Sequence, residues 1–105
     1  MSIPDGAVFR ALADPTRRQI LQELKGHELA AGEIAARFPI RAPSISRHLA
    51  ILKAAGLVVE RRDGNRIFYR LQENRLLSAL GGFISTVCPA QNILRVEERH
   101  RRGEA

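Results

Sequence analysis

The sequence has 105 residues, which is the size of one domain. Its 45% hydrophobic content supports a modest core, and since only 5% of the residues are aromatic, that core should be mainly aliphatic. No apolar run is long enough to span a bilayer, and the N-terminal residues lack the pattern of a secretory signal. A single cysteine, Cys88, excludes an intramolecular disulfide and fits a reducing compartment, so we expect a cytoplasmic protein.

The net charge of +6 is concentrated in the middle of the chain. Residues 39–71 carry seven basic and two acidic side chains, whereas residues 1–38 carry five of each. Residues 72–105 carry five basic and four acidic side chains. A basic surface concentrated in this way is typical of nucleic-acid binding. The simpler alternatives are a solvated basic face or a site for an anionic ligand.

Two helices are predicted at the start of the chain. Residues 5–13 have the apolar spacing of a short helix. The pair Asp14-Pro15 predicts the start of a second helix, because Asp is a good N-cap and Pro is favoured at the first helical position. We expect this second helix to run to Leu24 or Lys25.

The next two predicted helices form a helix-turn-helix. Residues 29–38 are alanine-rich and predict a third helix with a weak cap, because Ala30 stands where a Ser or Thr would complete a capping box with Glu33. Residues 39–42 form the turn, and residues 43–56 form the following helix. A short helix, a tight turn and a second helix with a polar N-terminal side are the parts of a helix-turn-helix.

The helix predicted over residues 43–56 has one buried stripe and a polar N-terminal half. Ile45, Leu49 and Leu52 follow the i, i+4, i+7 spacing of a core-facing side. The polar half carries hydroxyl, guanidinium and imidazole groups that can reach phosphates and base edges in a major groove. The candidate DNA contacts on this helix are Ser44, Ser46, Arg47 and His48. A plain amphipathic surface helix is the alternative, and the neighbouring segments argue against it.

Residues 57–71 change to a strand pattern. Two runs rich in β-branched and aromatic residues flank the sequence Asp63-Gly64-Asn65, which is a strong hairpin signal. The tip of this hairpin carries four donors, which is more than solubility requires: Arg61, Arg62, Asn65 and Arg66. A basic hairpin directly after a recognition helix indicates the wing of a winged helix. A structural hairpin with a solvated tip is the weaker alternative.

Residues 73–87 predict a last helix with a wide apolar face. Its members recur at three- and four-residue steps: Leu76, Leu77, Leu80, Phe83, Ile84 and Val87. Gly81-Gly82 would permit close helix–helix approach, which favours a homodimer over a face that only covers the domain core. We expect residues 1–89 to form one domain for DNA binding and dimerisation, followed by a partly disordered extension over residues 90–105.

Several stretches taken together resemble the ArsR family of bacterial winged-helix repressors. They are FRALADPTRRQIL for the opening signature, GEIAARF and PSISRHLAILKAAGLV for the helix-turn-helix, and RRDGNRIFYRL for the wing. The resemblance covers residues 7–88 and implies a homodimer that represses by binding a twofold-symmetric DNA operator. It also implies pairing through the first and last helices, which adds Val8 and Phe9 to the expected interface.

The metal-ligand positions of that family are replaced in this chain. The best-known cysteine pair falls on Ala30 and Gly32, and residues 76–87 contain no Asp, Glu or His. The histidines are too scattered to form a site by spacing alone: His27, His48 and His100. A single cysteine also cannot supply the pair that sulfur-sensing members use. The chain therefore resembles the autorepressor-like branch, with no metal and no cofactor expected.

One departure from the family concerns the start of the recognition helix. Arg41 stands where relatives often place a capping Ser, and we expect it to bind a phosphate instead. Arg47 is the expected base reader, because a guanidinium can bond guanine O6 and N7 in a bidentate manner.

Three alternatives complete the sequence-based prediction. The first is a sensor with an unrecognised metal or thiol site; Cys88 could bridge two subunits, although a lone cysteine is more often a packing residue. The second is a winged helix used for protein assembly, against which the charge of residues 39–71 argues. The third, an enzyme, is the weakest, because Ser46 and His48 point in different directions on a helix and no third residue orients a base. We therefore predict a mainly α fold with a small β-hairpin, forming a homodimeric winged helix-turn-helix repressor.

Overall fold

The computed structural model describes residues 4–89. Along these residues the chain forms α1 (Asp5–Leu12), α2 (Pro15–Glu23), β1 (Leu29–Ala30), α3 (Ala31–Ala35), α4 (Ala42–Ala54), β2 (Val58–Asp63), β3 (Arg66–Leu71) and α5 (Glu73–Val87). This order confirms the predicted mainly α fold with a small β component. The extension expected over residues 90–105 lies outside the described residues. In the part that is described, no helix is long and apolar enough to cross a membrane.

The N-terminal helices meet at a corner fixed by Asp14. Its carboxylate accepts hydrogen bonds from the backbone N–H groups of Thr16 (2.8 Å) and Arg17 (3.1 Å), which confirms the predicted cap of α2. The bond from Arg17 is the main cause that lowers the pKa of Asp14. α2 ends at Glu23, one residue before the predicted limit, with Leu24 as its C-cap.

An aliphatic core joins the helices to the sheet. The predicted stripe of α4 is confirmed, since Ile45, Leu49 and Leu52 are all buried. They pack with Ile20 of α2 and Ile34 of α3, among others. Within residues 4–89 no polar or charged side chain is buried, so the hydrophobic effect stabilises this core.

The predicted helix over residues 29–38 is wrong at both ends. Leu29–Ala30 form β1, which pairs antiparallel with β3 so that Leu29 lies opposite Tyr69, and α3 covers only Ala31–Ala35. Both residues of β1 are buried, and pairing with the free edge of β3 satisfies their backbone groups. A two-residue strand shows no periodicity, which is why the sequence pattern did not reveal it.

The start of α3 is stabilised by half of a capping box. As predicted, Ala30 contributes no side-chain bond, but Glu33 Oε1 accepts the backbone N–H of Ala30 at 2.8 Å.

The three strands form an antiparallel sheet in the order β1-β3-β2. The β2–β3 hairpin is confirmed, with a two-residue turn in which Gly64 has a φ of 62°. Paired residues share one face of a sheet. Val58 and Tyr69 therefore turn toward the core, whereas Arg61 and Phe68, which lie opposite each other, occupy the outer face.

Candidate nucleic-acid interface

α4 is the second helix of the helix-turn-helix and the recognition helix of the fold. It starts at Ala42, one residue before the predicted start, and Arg41 at its N-cap makes no side-chain capping bond. The helix ends at Ala54, and Gly56 beyond it adopts a φ of 79°. A guanidinium has no acceptor atom and cannot cap the N–H groups of a helix start, and Arg41 is exposed beside the start of α4.

The solvent side of α4 carries Ser46 and Arg47. Both residues are exposed. By helical geometry Arg47 lies opposite the buried stripe of Ile45 and Leu49, and Ser46 lies on its flank. In the part of the chain that is described, Arg47 forms no ion pair and no side-chain hydrogen bond. Its full charge and its fork of N–H donors therefore face solvent without competition.

Two other candidates of the recognition helix, Ser44 and His48, are only partly exposed. The Nδ1 atom of His48 lies 3.4 Å from Nη1 of Arg17. Sequence reasoning grouped His48 with the DNA contacts and missed this partner. The two residues are 31 positions apart, so no local pattern could connect them.

In the wing, Arg61 is held by an acidic and an aromatic neighbour. Its Nη2 and Nε atoms lie 2.6 and 3.2 Å from the two carboxylate oxygens of Glu28. Its guanidinium carbon lies 4.6 Å from the centroid of the Phe68 ring. The hydrogen bond from Arg61 lowers the pKa of Glu28. Arg61 is therefore already neutralised within the protomer.

Arg66 shares the same aromatic ring. Its guanidinium carbon lies 4.9 Å from the Phe68 centroid, and its Nη2 atom lies 3.8 Å from Glu33 Oε1. The remaining wing candidates, Arg62 and Asn65, are exposed and make no ion pair with any described residue. The structure thus separates the predicted wing donors into two held and two unpaired side chains.

Sequence reasoning missed both Glu28 and Phe68 as partners of the wing. The observed turn of two residues, Gly64 and Asn65, places Phe68 opposite Arg61. The three-residue turn expected from the sequence would have placed Ile67 there instead. Glu28 could not be found without β1, the strand that brings it beside the hairpin.

One further cation of the basic segment is also paired. Lys53 near the end of α4 donates to Glu60 of β2 at 2.8 Å, and this bond is the main cause that lowers the pKa of Glu60. The bridge ties the recognition helix to the wing strand.

A second surface, formed by α1 and α5, is apolar. α5 spans Glu73–Val87 as predicted. Five large apolar side chains of this surface are exposed to solvent: Phe9 (37%), Leu77 (68%), Phe83 (54%), Ile84 (39%) and Val87 (62%). We call these five residues the α5 surface. The rings of Phe9 and Phe83 meet edge to face, with 5.7 Å between centroids.

The other predicted interface residues lie deeper. Val8 is fully buried inside the protomer, where it packs in the core because its side of α1 faces the other helices. Leu76 and Leu80 are partly buried. These three side chains therefore support the α5 surface from below more than they extend it.

The described residues show no group that could hold a metal ion. Among residues 4–89 no three His, Cys, Asp or Glu side chains lie close enough together to ligate one. Cys88, which follows α5, is a free and exposed thiol.

Comparison with known proteins gives consistent matches across this architecture. A helix-turn-helix domain model matches residues 12–61. The transcriptional repressor SdpR of Bacillus subtilis is 42% identical over 87 residues, which are 83% of this chain and 97% of that protein. An ArsR-like transcriptional regulator from Rhodococcus sp. RHA1 is 31% identical, with a TM-score of 0.71 over 96% of this chain and 93% of that one.

A third match is the homodimeric winged helix-turn-helix DNA-binding domain of Mb0332 from Mycobacterium bovis, a possible ArsR-family regulator. It is 36% identical, with a TM-score of 0.65 over 77% of each chain. The resemblance first seen in the sequence motifs is thus confirmed by whole-chain similarity. The chain belongs to the ArsR family of winged helix-turn-helix transcriptional regulators, and is therefore a DNA-binding regulator and not an enzyme.

Proposed function

We propose that two copies of this chain form a repressor in the cytoplasm that binds a twofold-symmetric operator and occludes a promoter, without a metal or other cofactor. The observation that carries this proposal is Arg47, an exposed guanidinium without an ion pair among the described residues, on the solvent side of the recognition helix. A side chain in this setting is available for base contact at no cost in broken internal bonds.

The recognition helices of the two subunits would enter successive major grooves, about 34–36 Å apart. Arg47 reads a guanine through O6 and N7, and Ser46 bonds a base edge or phosphate next to it. Arg41 binds a DNA phosphate at the start of α4, and Ser44 contacts the DNA backbone from the side of this helix. These contacts divide into one that specifies sequence and several that fix position.

The wing would extend the contact beyond the major groove. Arg62 and Asn65 grip flanking phosphates or the adjacent minor groove, since Arg62 forms no ion pair and the Asn65 amide no hydrogen bond with any described residue. Arg61 and Arg66 contribute less, because Glu28, Glu33 and Phe68 already occupy them.

Dimerisation would bury the α5 surface. Leu77 and Val87 are 68% and 62% exposed, which is unusual for large apolar side chains on one helix face. A Cβ atom added at Gly81 or Gly82 would meet no described atom within 4 Å, so the backbone is open to close approach by a partner. A second copy in a twofold arrangement would cover the face with its own equivalent.

The direct test is binding of the purified protein to DNA from the region upstream of its own gene, against a scrambled duplex, across a salt series and with and without a chelator. We expect selective binding that falls with salt and does not change with the chelator. Binding that depends on the chelator would instead show a metal-responsive sensor. Weak binding that is equal on both duplexes would contradict this operator and support the protein-assembly alternative.

Dimerisation is tested separately by sedimentation of two matched variants. Phe83→Glu places a charge within the α5 surface, whereas Ser85→Glu places the same charge on another side of the same helix. We expect Phe83→Glu to sediment as a monomer and to lose selective DNA binding, and Ser85→Glu to remain dimeric. A dimeric Phe83→Glu protein would contradict this interface.

A further inference from the structure

Arg17 of α2 is held firmly against α1 and reaches His48 of the recognition helix. Arg17 Nε donates to the carbonyl of Ala11 at 2.6 Å, and Nη2 donates to the carbonyl of Arg10 at 3.1 Å. Two of the three guanidinium nitrogens thus donate to carbonyl groups in the last turn of α1. The third, Nη1, points at the recognition helix.

Nη1 of Arg17 lies 3.4 Å from Nδ1 of His48. A guanidinium has donors only and keeps its charge at any ordinary pH. The contact is a hydrogen bond only when Nδ1 carries a lone pair. In a neutral imidazole that accepts at Nδ1, the proton lies on Nε2.

The carboxylate of Asp14 lies within electrostatic range of Arg17 and of the His48 ring. The ring itself is partly exposed and lies between the buried Leu49 and the exposed Arg47 in sequence. Nε2 has no hydrogen-bond partner among the described residues. One end of the ring thus contacts Arg17, and the other forms no hydrogen bond with residues 4–89.

We propose that Arg17 fixes the Nε2–H tautomer of His48, so that the recognition helix presents a neutral N–H donor to a DNA phosphate. This rests on the proposed DNA-binding function and assigns His48 a role distinct from that of Arg47. A neutral donor adds a hydrogen bond without releasing a counterion. It therefore contributes affinity that does not appear in the salt dependence and that carries no sequence preference.

The tautomer is tested without DNA, by two-dimensional ¹H–¹⁵N correlation of the imidazole rings above neutral pH. We expect the Nε2–H pattern for His48, identified by its loss in His48→Gln, and a mixture of tautomers in Arg17→Ala. Arg18→Ala is the matched control, since Arg18 also donates to the end of α1, at the carbonyl of Leu12 (2.7 Å). A wild-type Nδ1–H pattern, or an Arg17→Ala pattern equal to that of the wild type, would overturn the inference.

The donor role is tested by affinity for the operator and for scrambled DNA. His48→Ala should bind both duplexes with about tenfold lower affinity and with an unchanged salt slope, because the substitution removes one hydrogen bond and no charge. His48→Gln should retain most of the affinity, since its amide N–H reaches the position of Nε2, whereas His48→Asn should not. A His48→Ala protein that binds as well as the wild type, or whose salt slope falls, would overturn the donor role.

The two tests separate this inference from the function on which it rests. A wild-type protein with no selective DNA binding would contradict the proposed function, and the phosphate role of His48 with it. A wild-type protein that binds selectively, while His48→Ala loses nothing, would contradict only the role of His48.

Discussion

The recognition helix and the wing both carry arginines, but the structure uses them in opposite ways. At α4, Arg41 and Arg47 make no ion pair with any described residue. In the wing, Arg61 is held by Glu28 and by the ring of Phe68. An unpaired cation can replace the counterions of DNA directly, whereas a paired one must first give up its partner. Equal charges in the sequence therefore do not predict equal contributions to binding.

The largest effect is expected from Arg47→Ala. Loss of a bidentate guanine contact should cost about 1–3 kcal/mol on the operator and much less on scrambled DNA. Lys53→Ala removes one charge from the same helix, but that charge is bound to Glu60 at 2.8 Å, so it serves as the control. The measurement is a pair of binding curves on the two duplexes. An equal loss on both duplexes would remove Arg47 from base reading.

The next-largest effect is expected on the salt dependence of binding, and it should differ between two wing arginines that are adjacent in sequence. Arg62→Ala should reduce the slope of log K against log salt by about 0.9, the value for one phosphate contact. Arg61→Ala should reduce it by less, because Glu28 already neutralises that guanidinium. Titrations at several salt concentrations measure both slopes. If the two variants changed the slope equally, the distinction between held and unpaired cations would not hold in the complex.

A smaller effect is expected from Glu28→Gln, which removes the closest acidic partner of Arg61 and leaves Asp63 at 3.9 Å and the Phe68 ring in place. Affinity for all duplexes should rise a few-fold, and the salt slope should steepen by at most about 0.9. Thermal stability should change little, because an exposed ion pair contributes little to folding. Asp5→Asn is the control: it makes the same change in net charge at the partner of Arg75, which lies at the start of α5. An equal rise in Asp5→Asn would attribute the effect to net charge alone.

The smallest effect on DNA binding is expected from substitution of Asp14, which should instead lower the stability of the folded protein. Its pKa is lowered in the folded protein, first by the hydrogen bond from the Arg17 N–H. The stabilisation is therefore fully present above the ordinary pKa of an aspartate and is lost as pH falls through the folded value. The corner of α1 and α2 supports Arg17 and through it the recognition helix, whereas the wing does not depend on it.

Thermal unfolding across a pH series tests this prediction, with Tm as the measured quantity. Asp14→Ala should lower Tm by a few degrees at neutral pH. Asp14→Asn keeps an acceptor oxygen but does not titrate, so its Tm should fall less steeply than that of the wild type as the solution is acidified. If the wild type and Asp14→Asn lost stability in parallel, Asp14 would not be the group that titrates.

Much of the interface could be placed from the sequence, because its signals are local. Asp14-Pro15 marks a helix start by capping chemistry, and the apolar stripe of α4 marks its buried side. The residues Asp63-Gly64-Asn65 between two strand-like runs indicate the hairpin. They do not fix its register, because a three-residue turn would set Arg61 opposite Ile67, whereas the observed two-residue turn sets it opposite Phe68.

What the sequence by itself determined is the presence of five helices and one hairpin, the basic central segment and the family. Only the tertiary structure decided which of these charges are available. β1 is too short to carry a pattern, and without it Glu28 has no visible reason to meet Arg61. Likewise, Arg17 and His48 meet because packing of the core brings α4 against the corner of α1 and α2. Pairing between distant residues depends on how the elements pack, and local periodicity contains no record of it.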